Sequence, residues 1–261
     1  MSNGSNSSYF RKLETTEQSW LTVCSYGHEK RGKTFWALSA PGPIAVISSD
    51  AGTESAVRQW QRAGKEILLF QHTVPPVGLK IDAYEKAWDA VAGALYEAMT
   101  SKQFRSIVID TATEFWELLR LARFGRLAKV MPHNYGPVNA EFRALLNKAA
   151  ASGKNSIWIH KVKKVYKTNK DGVDSWTGEW ERAGFADFGY IVDLVVKHVT
   201  VKLEGGGVEF QTHVVDSRYR PTVLNGSVFS GIMALFPAIA MEALPETDAE
   251  IWDDGVTAPE V

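Results

Sequence analysis

The chain has 261 residues, of which 45% are apolar, and this suits one large domain with a substantial core. No apolar run approaches the length that spans a bilayer, so we expect no membrane segment. Cys24 is the only cysteine, which excludes an internal disulfide and a cysteine-based zinc cluster and favours a reducing, cytoplasmic setting. The formal net charge of −1 by itself indicates no class of partner.

The two ends of the chain differ in composition from its centre. Residues 1–18 lack the basic and apolar regions of a signal peptide, so we expect a flexible lead. Residues 19–240 are predicted to form the folded domain. Residues 241–261 are predicted to be an acidic tail, loosely ordered from Pro245 onward, because residues 221–261 contain seven acids and neither Lys nor Arg. The mildly basic body indicates an anionic partner, unless the tail is simply a solvated end.

A phosphate-binding loop follows the first predicted strand. Residues 27–34 read Gly-His-Glu-Lys-Arg-Gly-Lys-Thr, the full G-x-x-x-x-G-K-[ST] pattern, between an apolar strand at 20–26 and a helix that starts near Phe35. The glycines let successive N–H groups converge on phosphate oxygens, Lys33 reaches the β- and γ-phosphates, and the Thr34 hydroxyl ligates Mg²⁺. The residues predicted to contact the nucleotide are Gly27, His28, Glu29, Lys30, Arg31, Gly32, Lys33, Thr34 and Phe35. The alternative is an ordinary glycine turn beside a salt-bridged lysine.

Strands and helices alternate after this loop. Apolar runs predict strands at residues 44–48, 67–70, 106–109, 156–159, 193–203 and 208–215, and helical spacing predicts helices at 83–99 and 138–151. The alternation predicts an α/β fold with a mostly parallel central sheet and helices on both faces. The last two strands flank Glu-Gly-Gly-Gly at 204–207, which predicts a C-terminal antiparallel hairpin. A final helix is expected at 228–240.

Three of these strands end in polar residues suited to phosphate chemistry. Asp50 and Glu54 follow the strand at 44–48. One of them is predicted to orient the attacking water, and Asp50 is preferred for this role because it lies at the strand tip. The alternative is that both belong to the start of a helix. Asp110 ends the strand at 106–109 and is predicted to hold Mg²⁺ through water, with a helix cap as the alternative. His160 ends the strand at 156–159, either as a sensor of the terminal phosphate or as a structural histidine.

With these motifs placed, residues 19–224 resemble the RecA-like ATPases, and more narrowly the phage nucleotide-binding proteins that include Sak-type single-strand annealing proteins. The resemblance rests on the phosphate loop with its Glu29, on Asp110, and on His160 where RecA proteins carry a γ-phosphate-sensing Gln. It implies a P-loop ATPase that uses ATP and Mg²⁺ in the bacterial host cytoplasm. Arg218 and Arg220 resemble the cations that RecA-type filaments insert into a neighbour's ATP site, which implies a homo-oligomer. RecA-like proteins usually carry a Glu where Asp50 is the nearest acid here.

Two basic segments are candidates for the single-stranded DNA contact that the resemblance implies. Arg120, Arg123, Arg126 and Lys129 recur at every third residue, on a DNA-binding or merely solvated helix face. Residues 161–182 combine lysines, tryptophans and glycines in a predicted loop, and such lysines neutralise phosphates while the aromatic rings stack on bases. The residues predicted to contact DNA are Lys161, Lys163, Lys164, Lys167, Lys170, Trp176, Trp180, Arg123 and Arg126.

The preferred interpretation is an ATP-hydrolysing RecA-like protein that acts on single-stranded DNA in phage recombination, annealing or replication. A single-strand-binding or other replication protein is a further expected partner. One alternative is a P-loop kinase for a small molecule or nucleoside, with Arg120, Arg123 and Arg126 on a lid. Another is a nucleotide-dependent, non-catalytic scaffold or loader whose acidic tail contacts a basic partner.

Overall fold

The protein is described from a computed structural model, which covers residues 19–125, 134–168, 172 and 174–259. The strands are β1 (Thr22–Gly27), β2 (Ile44–Ser48), β3 (Ile67–Gln71), β4 (Ser106–Asp110), β5 (Asn155–His160), β6 (Val162–Thr168), β7 (Asp174–Arg182), β8 (Leu194–Lys202), β9 (Val208–Ser217) and β10 (Val228–Ser230). The helices are α1 (Lys33–Ala37), α2 (Thr53–Arg62), α3 (Ile81–Thr100), α4 (Ala112–Phe124), α5 (Tyr135–Ala150), α6 (Pro221–Leu224) and α7 (Phe236–Ala243). Within these ranges, none of the helices has the length and apolar composition that a bilayer crossing requires.

The central sheet has the strand order β10-β9-β8-β1-β5-β4-β2-β3. Strands β8, β1, β5, β4, β2 and β3 run parallel, whereas β9 pairs antiparallel with β8, and β10 pairs antiparallel with β9. The predicted α/β fold with a mostly parallel sheet and a C-terminal antiparallel hairpin is therefore confirmed. Strand β5 lies between β1 and β4, with His160 opposite Tyr26 and Ile159 opposite Asp110. The carboxyl ends of β1, β5, β4 and β2 thus meet at one edge, which is where open α/β sheets bind ligands.

Two apolar layers cover the faces of this sheet. Side chains of a strand alternate between its faces, so Cys24 and Trp158 pack with α3, α4 and α5, while Val23 and Ile157 pack with α1, α2 and α7. Burial raises the pKa of the Cys24 thiol to about 12, so this thiol behaves as an apolar core group rather than a nucleophile. The layers hold the site-bearing strand ends in fixed register.

The lysine-rich segment is a β-hairpin rather than the predicted loop. Strands β6 and β7 pair antiparallel, with Lys164 opposite Trp180 and Tyr166 opposite Trp176. Aromatic and β-branched residues favour a pleated ribbon, and such cross-strand pairs stabilise it. We call the paired strands β6 and β7, residues 162–168 and 174–182, the basic hairpin.

The predicted helix at 228–240 is wrong in its first half. Residues 228–230 form the edge strand β10, a 3₁₀ turn follows at Gly231–Ala234, and the α-helix begins only at Phe236. Gly231 has a φ of +57°, in the left-handed region that interrupts a helix. A proline lies in the first turn of α7, where it is compatible with a new helix start.

The acidic end of the chain packs against the body. Trp252 is fully buried, with its ring 6.3 Å from that of Phe236. The Asp254 carboxylate accepts a 2.8 Å hydrogen bond from the Gly42 N–H and lies 3.1 Å from Lys65 Nζ. The expectation of loose order from Pro245 onward is therefore wrong for residues 245–259, which we call the C-terminal segment. The predicted lead at 1–18 lies outside the described residues.

Candidate nucleotide-binding site

The phosphate loop, residues 27–34, connects the end of β1 to the start of α1. A side chain is excluded at Gly27, because a Cβ there would lie 2.6 Å from the carbonyl oxygen of His198. Gly32 has a φ of +76° and immediately precedes α1. Lys33 Nζ donates a 2.6 Å hydrogen bond to the carbonyl oxygen of His28, so its ammonium group lies folded over the loop. Burial lowers the pKa of Lys33, and the nearby carboxylates, Asp110 first, oppose this effect.

The loop borders a cavity of about 990 Å³, which we call the phosphate cavity. This volume lies at the upper end of the range of about 300–1,000 Å³ for ligand pockets. All nine residues predicted to contact the nucleotide line it. Its other lining residues are Ser49, Asp50, Ala51, Gly52, Thr111, Glu114, Lys161, Val162 and Trp180.

Asp110 is buried behind Thr34, which lines this cavity, and it contacts two hydroxyl groups. Its Oδ2 accepts hydrogen bonds from Thr34 Oγ1 at 2.8 Å and Thr53 Oγ1 at 2.9 Å. Burial raises the pKa of Asp110, and the two hydroxyl donors partly offset that rise by favouring the carboxylate. Asp110 and Thr34 therefore lie together, at the place that their predicted metal role requires.

The donor set at Asp110 suits Mg²⁺. Carboxylate and hydroxyl oxygens are hard ligands, and Mg²⁺ at nucleotide sites keeps few protein ligands, because phosphates and water fill the others. In the described part of the chain there is no cluster of three His, Cys, Asp or Glu residues that could hold a metal on its own. Thr34 and Asp110 are thus suited to a metal that arrives with a phosphate, and not to a resident ion.

The two candidate general bases occupy different surroundings. Asp50 lines the phosphate cavity, and its Oδ1 accepts a 2.9 Å hydrogen bond from the Gly52 N–H. Glu54 is the second residue of α2, forms an exposed ion pair with Arg58 at 3.0 Å and does not line the cavity. The geometry therefore favours Asp50 over Glu54.

His160 is turned away from the phosphate cavity. The ring is fully buried, packs edge-on against Phe188 at 4.5 Å, and has its Nδ1 3.1 Å from the carbonyl oxygen of Ala183. Burial, together with the charge of Arg182, lowers the pKa of His160 well below its usual value. His160 does not line the cavity, so this geometry supports the structural alternative and not the sensor role.

The next residue, Lys161, does reach the cavity. Its Nζ forms an ion pair with the carboxylate of Glu114, and both side chains line the cavity wall. Lys161 is close enough to Lys33 for its charge to contribute to the lowered pKa of Lys33. Lys161 is one of the residues predicted to contact DNA. It lies instead at the phosphate cavity, because β5 ends directly beside the phosphate loop.

The basic hairpin extends from this same edge. The ring of Trp180 contacts the ring of His28 edge-on, with centroids 4.6 Å apart. Lys164 Nζ lies 5.0 Å from the Trp176 ring centroid and 5.8 Å from that of Trp180. Lys163 pairs with Glu181 at 3.1 Å, an exposed pair of the kind that contributes at most about 1 kcal/mol. Lys167, near the far end of β6, is exposed.

Arg218 and Arg220 lie far from the cavity, beyond the end of β9 and at the opposite edge of the sheet. Arg218 pairs with Asp193 at 3.1 Å, and Asp193 also accepts a hydrogen bond from the Thr22 N–H at the start of β1. Arg220 pairs with Glu242 at 3.4 Å. Neither arginine lies at the nucleotide site of its own chain.

The arginines of α4 are engaged within the domain. Arg123 makes two hydrogen bonds to Glu141 of α5, at 3.0 and 2.7 Å, and these bonds raise the pKa of Arg123. Arg120 pairs with Glu117 at 2.7 Å and donates to Tyr135. These contacts support the solvated-face alternative and neither a DNA surface nor a kinase lid. Arg126, Lys129 and Lys170 lie outside the described residues.

Sequence reasoning assigned no role to several polar residues of the site. Thr53 was missed because its hydroxyl reaches Asp110 across 57 residues. Glu114 was missed although a usable signal exists, since an acid one turn after a strand-end Asp lies at the same edge. The Thr111 side chain caps this turn by accepting a 3.3 Å hydrogen bond from the Glu114 N–H.

Comparison with known proteins agrees with this geometry. A family model described as an AAA domain matches residues 20–220, a span that includes the phosphate loop, Asp110 and the basic hairpin. No curated protein matches the chain at a significant level.

Proposed function

The chain belongs to the AAA domain family of nucleotide-binding P-loop ATPases, and from this premise we propose that it hydrolyses Mg²⁺-bound ATP and acts on single-stranded DNA. The nucleotide half rests on the hydrogen bond to buried Asp110 from Thr34, which lines the phosphate cavity together with the rest of the phosphate loop. In P-loop proteins these two residue types hold Mg²⁺, so Thr34 and Asp110 would hold it here, where it would supply positive charge beside the phosphates.

The charged groups of the cavity have distinct parts in hydrolysis. The loop N–H groups bind phosphate oxygens, and Lys33 exchanges the His28 carbonyl for one of them. Bound Mg²⁺, with Thr34 and Asp110 as its protein ligands, would neutralise phosphate charge. Asp50 orients the attacking water and accepts its proton. The water oxygen bonds to the γ-phosphorus, while the bond from that phosphorus to the bridging oxygen breaks and ADP leaves. Lys161 leaves Glu114 and neutralises the γ-phosphate from within the same chain.

The basic hairpin supports the DNA half of the proposal. Tyr166, Trp176 and Trp180 are 37–55% exposed, and Lys164 Nζ lies over the rings of Trp176 and Trp180. Exposed aromatic rings beside a cation bind single strands by stacking and phosphate neutralisation. The contact between Trp180 and His28 links this surface to the phosphate loop, so bound nucleotide is expected to change DNA affinity.

The biological setting and assembly are part of the same proposal. ATP-dependent binding of single strands suits recombination, annealing or replication, with a single-strand-binding protein as a further partner. Because Arg218 and Arg220 lie at the edge opposite the cavity, they can complete only the site of another copy. We therefore include a homo-oligomer in which these arginines leave Asp193 and Glu242 for a neighbour's nucleotide.

A salt-titrated assay of labelled single-stranded DNA, with ATP, ADP or no nucleotide, tests this function. We expect tighter binding with ATP, and a Trp176→Ala variant that binds DNA at least about fivefold more weakly, since one stacked base contributes ~1–3 kcal/mol. Tyr190→Ala is the matched control, because Tyr190 is 87% exposed but outside the hairpin. DNA binding that is equal in Trp176→Ala and the wild type would refute the hairpin as the DNA surface, and ATP turnover without any DNA binding would leave only the ATPase.

A further inference from the structure

A chain of hydrogen bonds connects Asp50 to Asp110 through two buried hydroxyl groups. The Asp50 N–H donates to Ser48 Oγ at 3.0 Å, and Ser48 Oγ lies 2.8 Å from Thr53 Oγ1. Thr53 Oγ1 in turn donates to Asp110 Oδ2 at 2.9 Å. Ser48 and Thr53 are 0% and 1% exposed, so these bonds do not compete with bulk water. We call this series of bonds the hydroxyl chain.

The direction of donation along the hydroxyl chain is fixed by its two ends. A backbone N–H can only donate a hydrogen bond, and an ionised carboxylate can only accept one. Thr53 therefore gives its single hydroxyl proton to Asp110, and its oxygen accepts from Ser48. Every bond in the chain thus points toward the Asp110 carboxylate, and hydrogen bonds aligned in this way polarise one another.

The carbonyl oxygen of Asp50 has donors of its own. It lies 3.1 Å from Ser48 Oγ, but it also accepts from the Thr53 N–H and from Gln71 Nε2, each at 3.2 Å. Ser48 is therefore free to donate to Thr53. The Asp50 backbone is held on both its N–H and its carbonyl side, by residues of β2, α2 and β3.

The other end of the hydroxyl chain lies at the predicted metal site. Asp110 Oδ2, which accepts from Thr53, also accepts from Thr34 Oγ1 at 2.8 Å. A metal held by Asp110 would fix this carboxylate and, with it, the acceptor of the Thr53 hydroxyl. The constraint then reaches the Asp50 N–H through Ser48. The chain therefore connects the acid that would meet the metal with the acid that would orient the water.

We propose that Thr53 and Ser48 are positioning residues, which fix the Asp50 backbone when a metal binds at Asp110. This inference rests on the proposed function, because it uses the roles given there to Asp50 and Asp110. Neither Thr53 nor Ser48 lines the phosphate cavity, so their effect on turnover passes through Asp50. Loss of a partner that supports a metal-site residue typically lowers metal affinity or activity about 10–100-fold.

Steady-state turnover at saturating Mg²⁺ and ATP tests the role of Thr53. Thr53→Val keeps the shape of the side chain and removes its hydroxyl, so kcat should fall about 10–100-fold. The Kd for ADP without Mg²⁺ should not change, which also verifies that the variant is folded. Thr53→Ser keeps a hydroxyl and should retain most of the rate. Thr22→Val is the matched control with wild-type kcat, because Thr22 is buried at the end of β1 far from the phosphate loop.

A double variant tests whether Thr53 acts through Asp50. Asp50→Asn alone should lower kcat, and adding Thr53→Val should lower it less than about twofold further, because the two residues act as one unit. A second loss as large as that of Thr53→Val alone would overturn the inference. Wild-type kcat in Thr53→Val would overturn it as well, and both results would leave the ATPase proposal standing.

Amide hydrogen exchange of residues 49–53, in ADP with and without Mg²⁺, tests the inference without turnover. The Asp50 N–H reports its bond to Ser48, so Mg²⁺ should slow its exchange in the wild type and in Thr22→Val. This slowing should be lost in Thr53→Val. Equal slowing in Thr53→Val and the wild type overturns the inference. A wild type without ATP turnover overturns the proposed hydrolysis, and the exchange rates then still decide whether Thr53 positions Asp50.

Discussion

Thr34 and Asp110 are 76 residues apart in the chain, yet Thr34 Oγ1 donates a 2.8 Å hydrogen bond to Asp110 Oδ2. Strand β5 separates β1 from β4 in the sheet, so this contact exists only because the phosphate loop crosses the end of β5. A hydrogen bond to a charged group contributes about 1.5–3 kcal/mol. The contact therefore fixes the loop to the strand whose acid would meet the metal.

The first prediction concerns the pH dependence of Mg²⁺-nucleotide binding. Burial raises the pKa of Asp110, while Mg²⁺ requires the carboxylate, so binding should release a proton. Affinity for Mg²⁺-ATP should accordingly rise with pH from the ordinary aspartate value of 3.8 up to the raised pKa. Calorimetry in two buffers of different ionisation enthalpy measures the released proton, and Asp110→Asn should abolish the release.

In the ligand-free protein, the carboxyl group of Asp110 makes the free energy of unfolding fall as pH rises, whereas the affinity for Mg²⁺-ATP should increase. The folded state keeps a proton that the unfolded chain loses above the ordinary pKa, so this group lowers the free energy of unfolding as pH rises through that window. Asp110→Asn should remove this dependence, whereas Glu54→Gln, at an exposed helix position, should not. Proton release that is equal in the wild type and Asp110→Asn would contradict the metal role of Asp110.

The second prediction concerns Lys161. If its ammonium group neutralises the γ-phosphate, Lys161→Ala should lower kcat about 10²–10³-fold, the loss typical for one group that stabilises transition-state charge. The Kd for ATP should change only a few-fold, because Lys33 and the loop N–H groups remain. Lys161→Arg should recover part of the rate. Steady-state turnover and equilibrium nucleotide binding separate the two quantities.

Lys163→Ala is the matched control for this test. Lys163 lies two residues further along the chain, in β6, but pairs with Glu181 on the hairpin surface. Equal losses of turnover in both variants would show that the effect comes from hairpin charge and not from the cavity. Unchanged turnover in Lys161→Ala would exclude the catalytic role.

The sequence predicted the features that depend on local patterns. The phosphate loop is a contiguous motif, and strands β2 and β4 are short apolar runs, so both were located within one residue of their observed bounds. The role predicted for Asp110 came from the same kind of pattern, an apolar strand that ends in an acid and follows a phosphate loop. The preference for Asp50 over Glu54 came from the same reasoning, and the geometry agrees.

What could not be predicted depends on contacts between distant segments. One residue of register decides that His160 turns into the core and Lys161 into the cavity, and a strand boundary read from sequence is less precise than that. The pairing of Arg123 with Glu141 links two helices, so the apparent basic stripe on α4 was misleading. The C-terminal segment has the composition of a solvated tail, yet one buried tryptophan and one buried ion pair attach it to the body.

The third prediction concerns stability in acid. Burial, together with the charge of Lys33, lowers the pKa of His198 from 6.5 to about 3. The unfolded chain therefore binds a proton that the folded protein does not, and the free energy of unfolding should fall as pH drops below 6.5. At pH about 5, this histidine alone should lower the free energy of unfolding by about 2 kcal/mol relative to its value well above pH 6.5. Urea unfolding across pH measures the slope.

A His198→Gln variant should show a shallower loss of stability in acid. His28→Gln, at a half-buried position of the phosphate loop, is the comparison variant and should keep the wild-type slope. His160 should contribute in the same direction, since burial also lowers its pKa. A slope that is identical in His198→Gln and the wild type would mean that His198 does not titrate on unfolding.

The fourth prediction concerns the ion pair that holds the C-terminal segment. Lys65 Nζ donates to the carbonyl oxygens of Ala40 at 2.8 Å and Ser39 at 3.2 Å and pairs with Asp254, and its side chain is only 1% exposed. Lys65→Met should lower the free energy of unfolding by about 3–5 kcal/mol, because it leaves the Asp254 carboxylate without its cation.

Arg58→Met is the control, because it breaks an exposed pair and should lower the free energy of unfolding by less than about 1 kcal/mol. Adding Asp254→Leu to Lys65→Met should recover part of the loss, since no unpaired charge remains. Urea unfolding measures all three, and a loss in Lys65→Met no larger than that in Arg58→Met would show that this pair does not hold the segment in place.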